Sequence, residues 1–581
     1  MSHNTMLRTM TLMVCLLVFA GCTGGGSSAD ERPTGAATAA PTAAKPTPDL
    51  PTPAPTIAAV PTAAPFPLTS GWWDNAVCYE VFVRSFYDSD GDGVGDLNGL
   101  IQQLDYINDR DPKTQADLGA NCIWLMPIAE SPSYHGYDVT DYYTVDREYG
   151  TNDDFKRLVA EAHKRGIKVI LDLVLNHTSR DHPWFQEALK DPAAAHRDWY
   201  LWSKDKPSYK TPWGTEAWHR SPARSEYYYG IFWEGMPDLN YRNPAVTEEA
   251  HKISAFWLND MGADGFRLDA IKHLIENGPA QENTLETHAW LRDYRTFLEK
   301  TKPGTFTIGE IFGANPATLA PYYPDQLDEY FMFEVGEKIV GAANSGLAIP
   351  YATVVQNASS GLPFQRWAPF LTNHDQNRIM TTLGNDVSKA KIAATALLTL
   401  PGLPFLYYGE EIGMLGAKPD EQIRTPMQWT AADTTGGFTS GRPWEPFQKN
   451  YKEVNVAAQD SDPNSLLNHY RSLVHLHTEH SALGHGSFTP LKASDGAVAA
   501  FLRQSDDEAI LVVLNFSKAE ISGVTLSLDK SGLAAGSYAM EPLLGHQPGA
   551  RLTVDAGGGV VGYAPLPVLA PRTGYVFEFS Q

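Results

Sequence analysis

The stretch GFRLDA at residues 265–270 decides the fold prediction, because an apolar, β-prone run ends there in charged side chains. Arg267 and Asp269 are two residues apart, so in a strand they point to the same side. A lone aspartate after an apolar strand is usually a turn former or a helix cap. One such stretch therefore predicts little about function by itself.

Three further stretches place polar residues directly after an apolar run. They are DLVLNH at 172–177, FTIGE at 306–310 and FLTNHD at 370–375. Barrel enzymes gather their catalytic side chains at the carboxyl ends of parallel strands. Four such ends in one chain therefore predict a shared site in a parallel sheet.

Beyond residue 71, apolar β-rich runs alternate with amphipathic helical stretches, which is the pattern of βα units that close a parallel barrel. Eight candidate strands are present, the number that a (β/α)8 TIM barrel requires. The candidates are 77–83, 120–126, 168–175, 265–268, 305–308, 329–333, 368–371 and 404–407. The sequence thus predicts an α/β fold with this barrel at its centre.

Two segments depart from the alternation. Residues 178–240 are dense in aromatic residues and too long for one βα loop, which predicts a domain inserted after the third strand. For each tryptophan there, a core position is more common than a sugar-stacking one. Residues 483–581 carry short alternating runs, which predict a C-terminal antiparallel β-sandwich. The barrel is then expected in two parts, 71–177 and 241–482.

Residues 1–21 indicate an export signal, because their apolar run is too short to cross a bilayer comfortably. Small residues precede Cys22, as in the lipobox of bacterial lipoproteins. That resemblance implies acylation of Cys22 and a lipid-anchored position at the cell surface or facing the periplasm. Residues 22–70 are dominated by Pro, Thr and Ala, which predicts a tether without a core of its own. A low-complexity spacer without function is the alternative.

A formal net charge of −23 disfavours nucleic acid and anionic membrane as partners, since phosphate binding needs clustered Lys and Arg. The only membrane contact expected is the lipid anchor, and no obligate protein partner is evident. Within the folded part, Cys78 and Cys122 lie on the first two predicted strands. Each is expected as a small buried hydrophobe, with a disulfide between them as the alternative.

The four strand-end stretches resemble those of the α-amylase superfamily of glycoside hydrolases, of the family 13 type. Further stretches that match are ANCIWLMPI at 120–128, HGYDVTDYY at 135–143, MPDLN at 236–240 and GLPFLYYGEE at 402–411. MPDLN resembles an intermediate group that includes bacterial lipoprotein α-amylases. The resemblance implies a hydrolase that cleaves α-1,4-glucosidic bonds in starch, glycogen and maltooligosaccharides, with an α-glucan as its partner.

Retaining cleavage needs a carboxylate nucleophile and a carboxyl proton donor about 5 to 5.5 Å apart. The resemblance gives these catalytic roles to Asp269 and Glu310. Arg267, placed also among the sugar-binding residues, is expected to keep Asp269 ionised. Glu310 must hold its proton, which requires burial and a negative neighbour. Asp375 would be the third catalytic residue and hydrogen-bond hydroxyls of the cleaved sugar.

The resemblance also assigns sugar contacts. His177 and His374 would bind hydroxyls of the cleaved sugar, and Tyr137 would stack beneath it. Lys272 and His273 match a pair that contacts glucose beyond the cut in α-amylases. This match favours cleavage within chains.

Asp138 and Arg424 favour a different activity, because the matching residues of exo-acting relatives pair across the cleft and cap the non-reducing end. If they pair here, an α-glucosidase is expected. A cyclomaltodextrinase or transglycosylase of the same family also stays open. A non-catalytic carbohydrate-binding lipoprotein is the remote alternative, and retention of the catalytic carboxylates argues against it.

The segment DSDGDGVGD at 88–96 places carboxylates at alternate positions around glycines. It begins like an EF-hand, but Gly99 stands at the twelfth position, where a bidentate glutamate is required. It resembles instead the calcium loop of the oligo-1,6-glucosidase branch, and a solvated acidic turn is the alternative. The ligands implied for a structural Ca2+ are Asp88, Asp90, Asp92, Asp96 and the backbone carbonyl of Val94.

Overall fold

The computed structural model describes residues 71–111, 113–545 and 547–580. The predicted signal, the acylated Cys22 and the tether lie outside these residues. Within the described ranges, no helix combines the length and the hydropathy that crossing a membrane needs.

A curled parallel sheet forms the centre of the fold. Its neighbouring strands follow one another in chain order, and the first strand pairs with the last. The strands are Cys78–Val81, Cys122–Leu125, Lys168–Leu173, Gly265–Leu268, Phe306–Gly309, Glu329–Tyr330 and Phe405–Tyr407. We number them first to sixth and eighth, because one further segment completes the barrel.

Residues 368–370 take the seventh place in the barrel. Ala368 forms a single parallel bridge to Phe331, and Phe370 forms another to Phe405. The segment makes no regular strand, because Pro369 lies between the bridges and has no N–H to donate. These two bridges link the sixth and eighth strands, which agrees with the predicted (β/α)8 barrel.

Helices follow the barrel strands in the predicted alternation. Asn152–Lys164 shows why they form: Thr151 and Asp154 make a capping box, and the apolar positions recur at helical spacing toward the sheet. The other long helices are Pro244–Ala255, Leu285–Thr301, Phe333–Ser345, Ile349–Gly361, Val387–Leu398 and Leu466–Glu479.

The inserted domain lies between the third and fourth barrel strands. It contains the helix Pro183–Lys190 and a small antiparallel sheet of Trp202–Ser203, Trp218–Arg220 and Tyr227–Tyr229. Most of its tryptophans occupy the expected core positions: three pack half-buried against the main core, and Trp218 is buried. Trp213 and Trp233 are the exceptions, with 48% and 46% of their surfaces exposed.

The C-terminal domain is antiparallel, as predicted. Its eight-stranded sheet consists of Ser487–Ala493, Val498–Gln504, Ala509–Asn515, Leu526–Leu528, Gly536–Leu544, Gly549–Val554, Val560–Tyr563 and Thr573–Ser580. Ile521–Ser522 pairs with Val568–Leu569 beside it. Alternate residues of Ala509–Asn515 face the barrel and the domain's own core, so both faces of this strand are buried.

The two cysteines of the barrel form a disulfide. The expectation that both are small buried hydrophobes is therefore wrong, and the alternative of a bond is correct. Parallel pairing places Cys78 directly opposite Cys122, with their Cα atoms 4.3 Å apart. That separation lies just below the usual range for disulfides, about 4.4 to 6.8 Å.

Candidate active site

Two carboxylates lie around one buried guanidinium at the carboxyl ends of neighbouring strands. Gly265–Leu268 ends directly before Asp269, and Phe306–Gly309 ends directly before Glu310. Nη1 of Arg267 lies 2.6 Å from Oδ1 of Asp269, and Nη2 lies 2.9 Å from Oε2 of Glu310. The structure thus brings the predicted pair together on one cation. The carboxylate separation of about 5 to 5.5 Å stays a prediction.

The two acids differ in their surroundings. Burial raises the pKa of Glu310 to about 7, and the charge of Asp269 adds to this while Arg267 opposes it. Glu310 also accepts a hydrogen bond from the amide of Ala270 at 3.3 Å. A carboxyl group with this pKa holds its proton for part of the time at neutral pH, as a general acid must.

Asp172 braces this arrangement from the third strand. Its two carboxylate oxygens lie 2.8 and 3.0 Å from Nη1 of Arg267, and the hydroxyl of Tyr137 donates to it at 2.9 Å. Burial raises the pKa of Asp172 to about 6. The aspartate therefore positions Arg267 and Tyr137.

A second cluster surrounds His374, whose ring nitrogens both contact protein groups. Nδ1 lies 2.5 Å from Oε1 of Glu80, and Nε2 lies 2.7 Å from the hydroxyl of Tyr137 and 3.3 Å from Asp375. Burial lowers the pKa of His374, but Asp375 and Glu80 outweigh burial and raise it to about 10. The imidazolium therefore links the first strand to the predicted third carboxylate.

Asp375 is held between two cations. Burial raises its pKa, but His374 and then Arg424 outweigh burial, so that its pKa lies well below the ordinary value. Nη2 of Arg424 is 2.9 Å from Oδ1 of Asp375 and 3.1 Å from Oδ2 of Asp420. Asp375 is thus a carboxylate across the pH range in which proteins work.

Asp138 and Arg424 do not pair in this structure. Asp138 accepts hydrogen bonds from the hydroxyls of Ser131, at 2.9 Å, and Ser133. Arg424 engages the two carboxylates Asp375 and Asp420 instead. Among the described residues, the ion pair that would cap the cleft is therefore not formed.

The remaining predicted sugar contacts lie on the inserted domain's side of the site. Nε2 of His177 donates to the carbonyl of Tyr137 at 3.1 Å, and Nδ1 of His273 donates to the carbonyl of Gln281 at 2.8 Å. Burial lowers the pKa of both imidazoles, to about 4 for His273. Lys272 pairs with Glu282 at 3.0 Å. Both histidines are thus neutral donors or acceptors rather than cations.

The model of the family described as Alpha amylase, catalytic domain, matches residues 80–486, which is more than half of the chain. The chain belongs to the α-amylase family. It is therefore a glycoside hydrolase, as the sequence predicts.

Individual members of the α-amylase family resemble the chain over most of its length. Alpha-amylase 3 of Dictyoglomus thermophilum is 41% identical over 453 residues, which cover 77% of this chain and 86% of that protein. Oligo-1,6-glucosidase of Parageobacillus thermoglucosidasius is 33% identical over 520 residues, covering 77% and 91%. The crystal structure of the alpha-amylase from H.orenii matches with a TM-score of 0.75 and 40% identity, covering 87% of this chain and 99% of that one.

The loop predicted to bind calcium brings three of its carboxylates together. Asp88, Asp90 and Asp96 each offer an oxygen, and these oxygens lie within 4.8 Å of one another. Oxygen ligands of this kind suit Ca2+. Asp92 is outside the group, and its carboxylate accepts from the amide of Val94 at 2.8 Å. The donor set therefore fits a hard cation, with Asp92 as the predicted ligand that is left out.

Glu80 is the residue of this α-amylase-family site that the sequence analysis missed. It lies inside the first strand, Cys78–Val81, and is 1% exposed. Its signal was a charged residue in the middle of an apolar strand, because a buried charge needs a partner. That partner is His374, 294 residues further along the chain.

Proposed function

We propose that the protein is a retaining α-amylase that cleaves α-1,4-glucosidic bonds within starch, glycogen and maltooligosaccharides. The observation that carries the proposal is the guanidinium of Arg267, which holds Asp269 on one nitrogen and Glu310 on the other. The raised pKa of Glu310, about 7 because of burial, supports a protonated acid beside a carboxylate. Retention needs such a pair.

In the first step, an oxygen of Asp269 attacks C1 of the sugar at the cut while Glu310 gives its proton to the leaving oxygen. The C1–O bond breaks, and a glycosyl ester of Asp269 forms. In the second step, the Glu310 carboxylate takes a proton from the water that attacks C1, and the ester bond breaks. Asp375 hydrogen-bonds ring hydroxyls of the same sugar and favours its distorted, charge-bearing form.

The sugar contacts follow from the side chains around this pair. Tyr137 stacks beneath the cleaved sugar, and His177 and His374 contact its hydroxyls. Lys272 and His273 contact the glucose beyond the cut. The hydroxyl of Tyr137 already contacts His374 at 2.7 Å, so the two rings are positioned together before a sugar arrives.

Cleavage within chains is favoured because Arg424 engages Asp375 and Asp420 rather than Asp138. The relative named Alpha-amylase 3, at 41% identity, supports the same activity. Exo-acting α-glucosidase activity is the second candidate, since both capping residues are present and an oligo-1,6-glucosidase is 33% identical. Transfer to another sugar instead of water belongs to this second candidate.

The test is a time course of amylose digestion by the full-length protein, with products resolved by length. Mixed maltooligosaccharides at the earliest times are expected, whereas glucose alone from the outset would contradict the α-amylase proposal and favour the α-glucosidase. Asp269→Asn should lower hydrolysis on the order of 10⁴-fold. Asp386→Asn is the matched control, because Asp386 caps a helix and pairs with Arg572, and asparagine also caps helices.

We also propose that Asp88, Asp90 and Asp96 hold a structural Ca2+, which would fix the loop between the first strand and the first helix, Leu97–Gln102. The clustering of their oxygens within 4.8 Å supports this proposal. The ion would neutralise three adjacent carboxylates and takes no part in bond cleavage.

Export with acylation at Cys22 is the last part of the proposal. The lipobox-like segment supports it, and so does the Cys78–Cys122 disulfide, because disulfides persist mainly in oxidising compartments. Cys22→Ser should move the protein from the membrane fraction to the soluble one. An unchanged distribution would contradict the anchor.

A further inference from the structure

Two tryptophans of the inserted domain, Trp213 and Trp233, are exposed, and Trp213 is the one that contacts both Phe232 and His273. Trp213 is 48% exposed, whereas Trp218 in the same domain is buried. The Trp213 ring stacks on Phe232, with centroids 5.8 Å apart and an angle of 25° between the planes. One face of the ring is directed at Phe232, and about half of the side chain stays open to solvent. A flat apolar surface is therefore presented to solvent.

A tight turn fixes the orientation of this ring. The amide of Thr211 donates to the carbonyl of Thr215 at 2.9 Å, and the two hydroxyls are 2.8 Å apart. Gly214, with φ +87°, provides the left-handed conformation that the turn needs. Lys206 and Glu216 form an ion pair of 2.6 Å beside it. The ring is thus preorganised, which lowers the entropy lost on binding.

The ring lies at the end of an aromatic row that starts in the active site. Phe232 lies 5.2 Å from the ring of His177 and 6.0 Å from that of His273, and Trp213 lies 5.8 Å from His273. His273 ends the short turn Ile271–His273, which follows the Ala270 amide that contacts Glu310. The row therefore reaches His273, the residue that the proposed function places against the glucose beyond the cut.

We propose that Trp213, backed by Phe232, is a stacking platform for a glucose unit on the leaving-group side of the cut, and that it favours long α-glucan chains over short ones. The C–H face of a pyranose packs on an aromatic ring through the same apolar contact that rings make in cores. A single exposed tryptophan is common on surfaces, but here fixed orientation, a backing ring and contact with His273 occur together. This inference rests on the proposed function, because Glu310 as proton donor defines the leaving-group side.

The test compares two substrates whose leaving groups differ. Maltoheptaose extends over the platform, whereas α-maltosyl fluoride has a leaving group too small to reach it. For Trp213→Ala in the full-length protein, kcat/KM on maltoheptaose should fall about tenfold, which corresponds to about 1.4 kcal/mol. On α-maltosyl fluoride it should change by less than about twofold. Trp213→Phe should retain most of the activity on both.

Phe364→Ala is the matched control. Phe364 is 40% exposed and precedes the seventh barrel segment, at the end of the barrel away from the site. This variant should leave both substrates unaffected. Equal losses on both substrates for Trp213→Ala would indicate a structural role and overturn the proposal, as would unchanged activity on both. Failure of the unmodified protein to cleave maltoheptaose would instead overturn the proposed function.

Binding gives a second measurement that does not depend on the stability of the alanine variant. In the inactive Asp269→Asn protein, maltoheptaose should change the tryptophan fluorescence. In Asp269→Asn with Trp213→Phe, most of that change should disappear while maltoheptaose still binds by calorimetry. A fluorescence change of unaltered size in the double variant would overturn the platform.

Discussion

Two arginines, Arg267 and Arg503, are almost completely buried, at 1% and 0% exposure, yet their partners differ in kind. Arg267 at the barrel mouth contacts the three carboxylates of Asp172, Asp269 and Glu310. Arg503 lies at the seam between the barrel and the C-terminal domain. Its guanidinium donates only to backbone carbonyls, those of Thr399, Gly486 and Ser487.

The pKa values of the two arginines are shifted in opposite directions. Burial lowers the pKa of Arg267, but Asp172 and Glu310 outweigh burial and raise it well above the ordinary value. Burial lowers the pKa of Arg503 to about 9, because no carboxylate compensates the lost hydration. Burial alone therefore does not mark a functional arginine. An excess of buried carboxylates around the guanidinium does. Buried negative charge lowers stability, and such charge clusters at functional sites.

Exchanging each arginine for methionine is the strongest test of this contrast. Arg267→Met removes the cation that orients both catalytic carboxyl groups, so kcat/KM on maltoheptaose should fall at least on the order of 10³-fold. Arg503→Met is the matched control, because it removes an equally buried guanidinium away from the carboxylates. Its kcat/KM at 25 °C should stay unchanged, and comparable losses in both variants would contradict the distinction.

Glu310→Gln tests whether Glu310 is the proton donor among the buried acids at the barrel mouth. Loss of the proton donor should lower kcat/KM on maltoheptaose by roughly 10²- to 10⁴-fold. The kcat/KM on α-maltosyl fluoride, which reports the first step and not the later attack of water, should fall far less, because fluoride leaves without protonation. Glu410→Gln is the control, since Glu410 is also buried with a pKa raised to about 8 but contacts Tyr470 instead. Equal losses of kcat/KM on both substrates would show that Glu310 is not the proton donor.

The pH dependence of the unmodified enzyme should report the same acid. Burial raises the pKa of Glu310 to about 7, and the acid must be protonated to act, so activity is present below this pKa and is lost as pH rises through it. The log of kcat/KM on maltoheptaose should then decline with a slope approaching −1 above about pH 7. The alkaline decline should be absent for α-maltosyl fluoride, and a decline shared by both substrates would assign it to another group.

The fold could be predicted largely from strand ends, because polar residues directly after apolar runs mark the carboxyl edge of a parallel barrel. What sequence does not give is the register between strands. The pairing of Cys78 with Cys122 depends on that register, and a shift by one residue would separate them. The sequence predicts a regular seventh strand at 368–371, but Pro369 limits this segment to two isolated bridges.

A motif at a strand end is enough to predict which side chains lie close together, but a contact that depends on rotamers is not predictable in this way. Asp269 and Glu310 lie at strand ends, so the backbone alone brings them together. Whether Arg424 turns toward Asp138 or toward Asp375 depends on the choice between competing partners, which sequence does not encode locally. Glu80 was missed for a similar reason, because its partner His374 follows the seventh barrel segment, 294 residues further along the chain.

The loop at residues 88–96 provides a third kind of charge cluster, because Asp88, Asp90 and Asp96 lie together and form no ion pair with a basic residue among the described ranges. If Ca2+ balances these carboxylates, as Arg267 balances those of the active site, a free Ca2+ concentration a hundredfold above Kd raises the free energy of unfolding by about 2.7 kcal/mol. A chelator should therefore lower the melting temperature of the unmodified protein. Asp90→Asn should reduce that effect, whereas Asp92→Asn, in the same loop but outside the cluster, should keep it. Equal melting with and without chelator would contradict a metal here.

The smallest expected effect concerns the stability of Arg503 variants, and there two terms oppose each other. Arg503→Met leaves the carbonyl of Thr399 without its donor, which costs about 1 to 3 kcal/mol, whereas the carbonyl of Gly486 still accepts from Nε2 of Gln365 at 2.9 Å. It also relieves a buried charge whose pKa is lowered to about 9, and replacement of buried charge by a hydrophobe is often neutral or stabilising. The net loss should therefore be about 1 kcal/mol or less. Arg503→Lys keeps a charge that has no planar fork to reach three carbonyls, so it should melt at a lower temperature than Arg503→Met. The reverse order would show that charge, rather than hydrogen-bond geometry, makes arginine suitable at this seam.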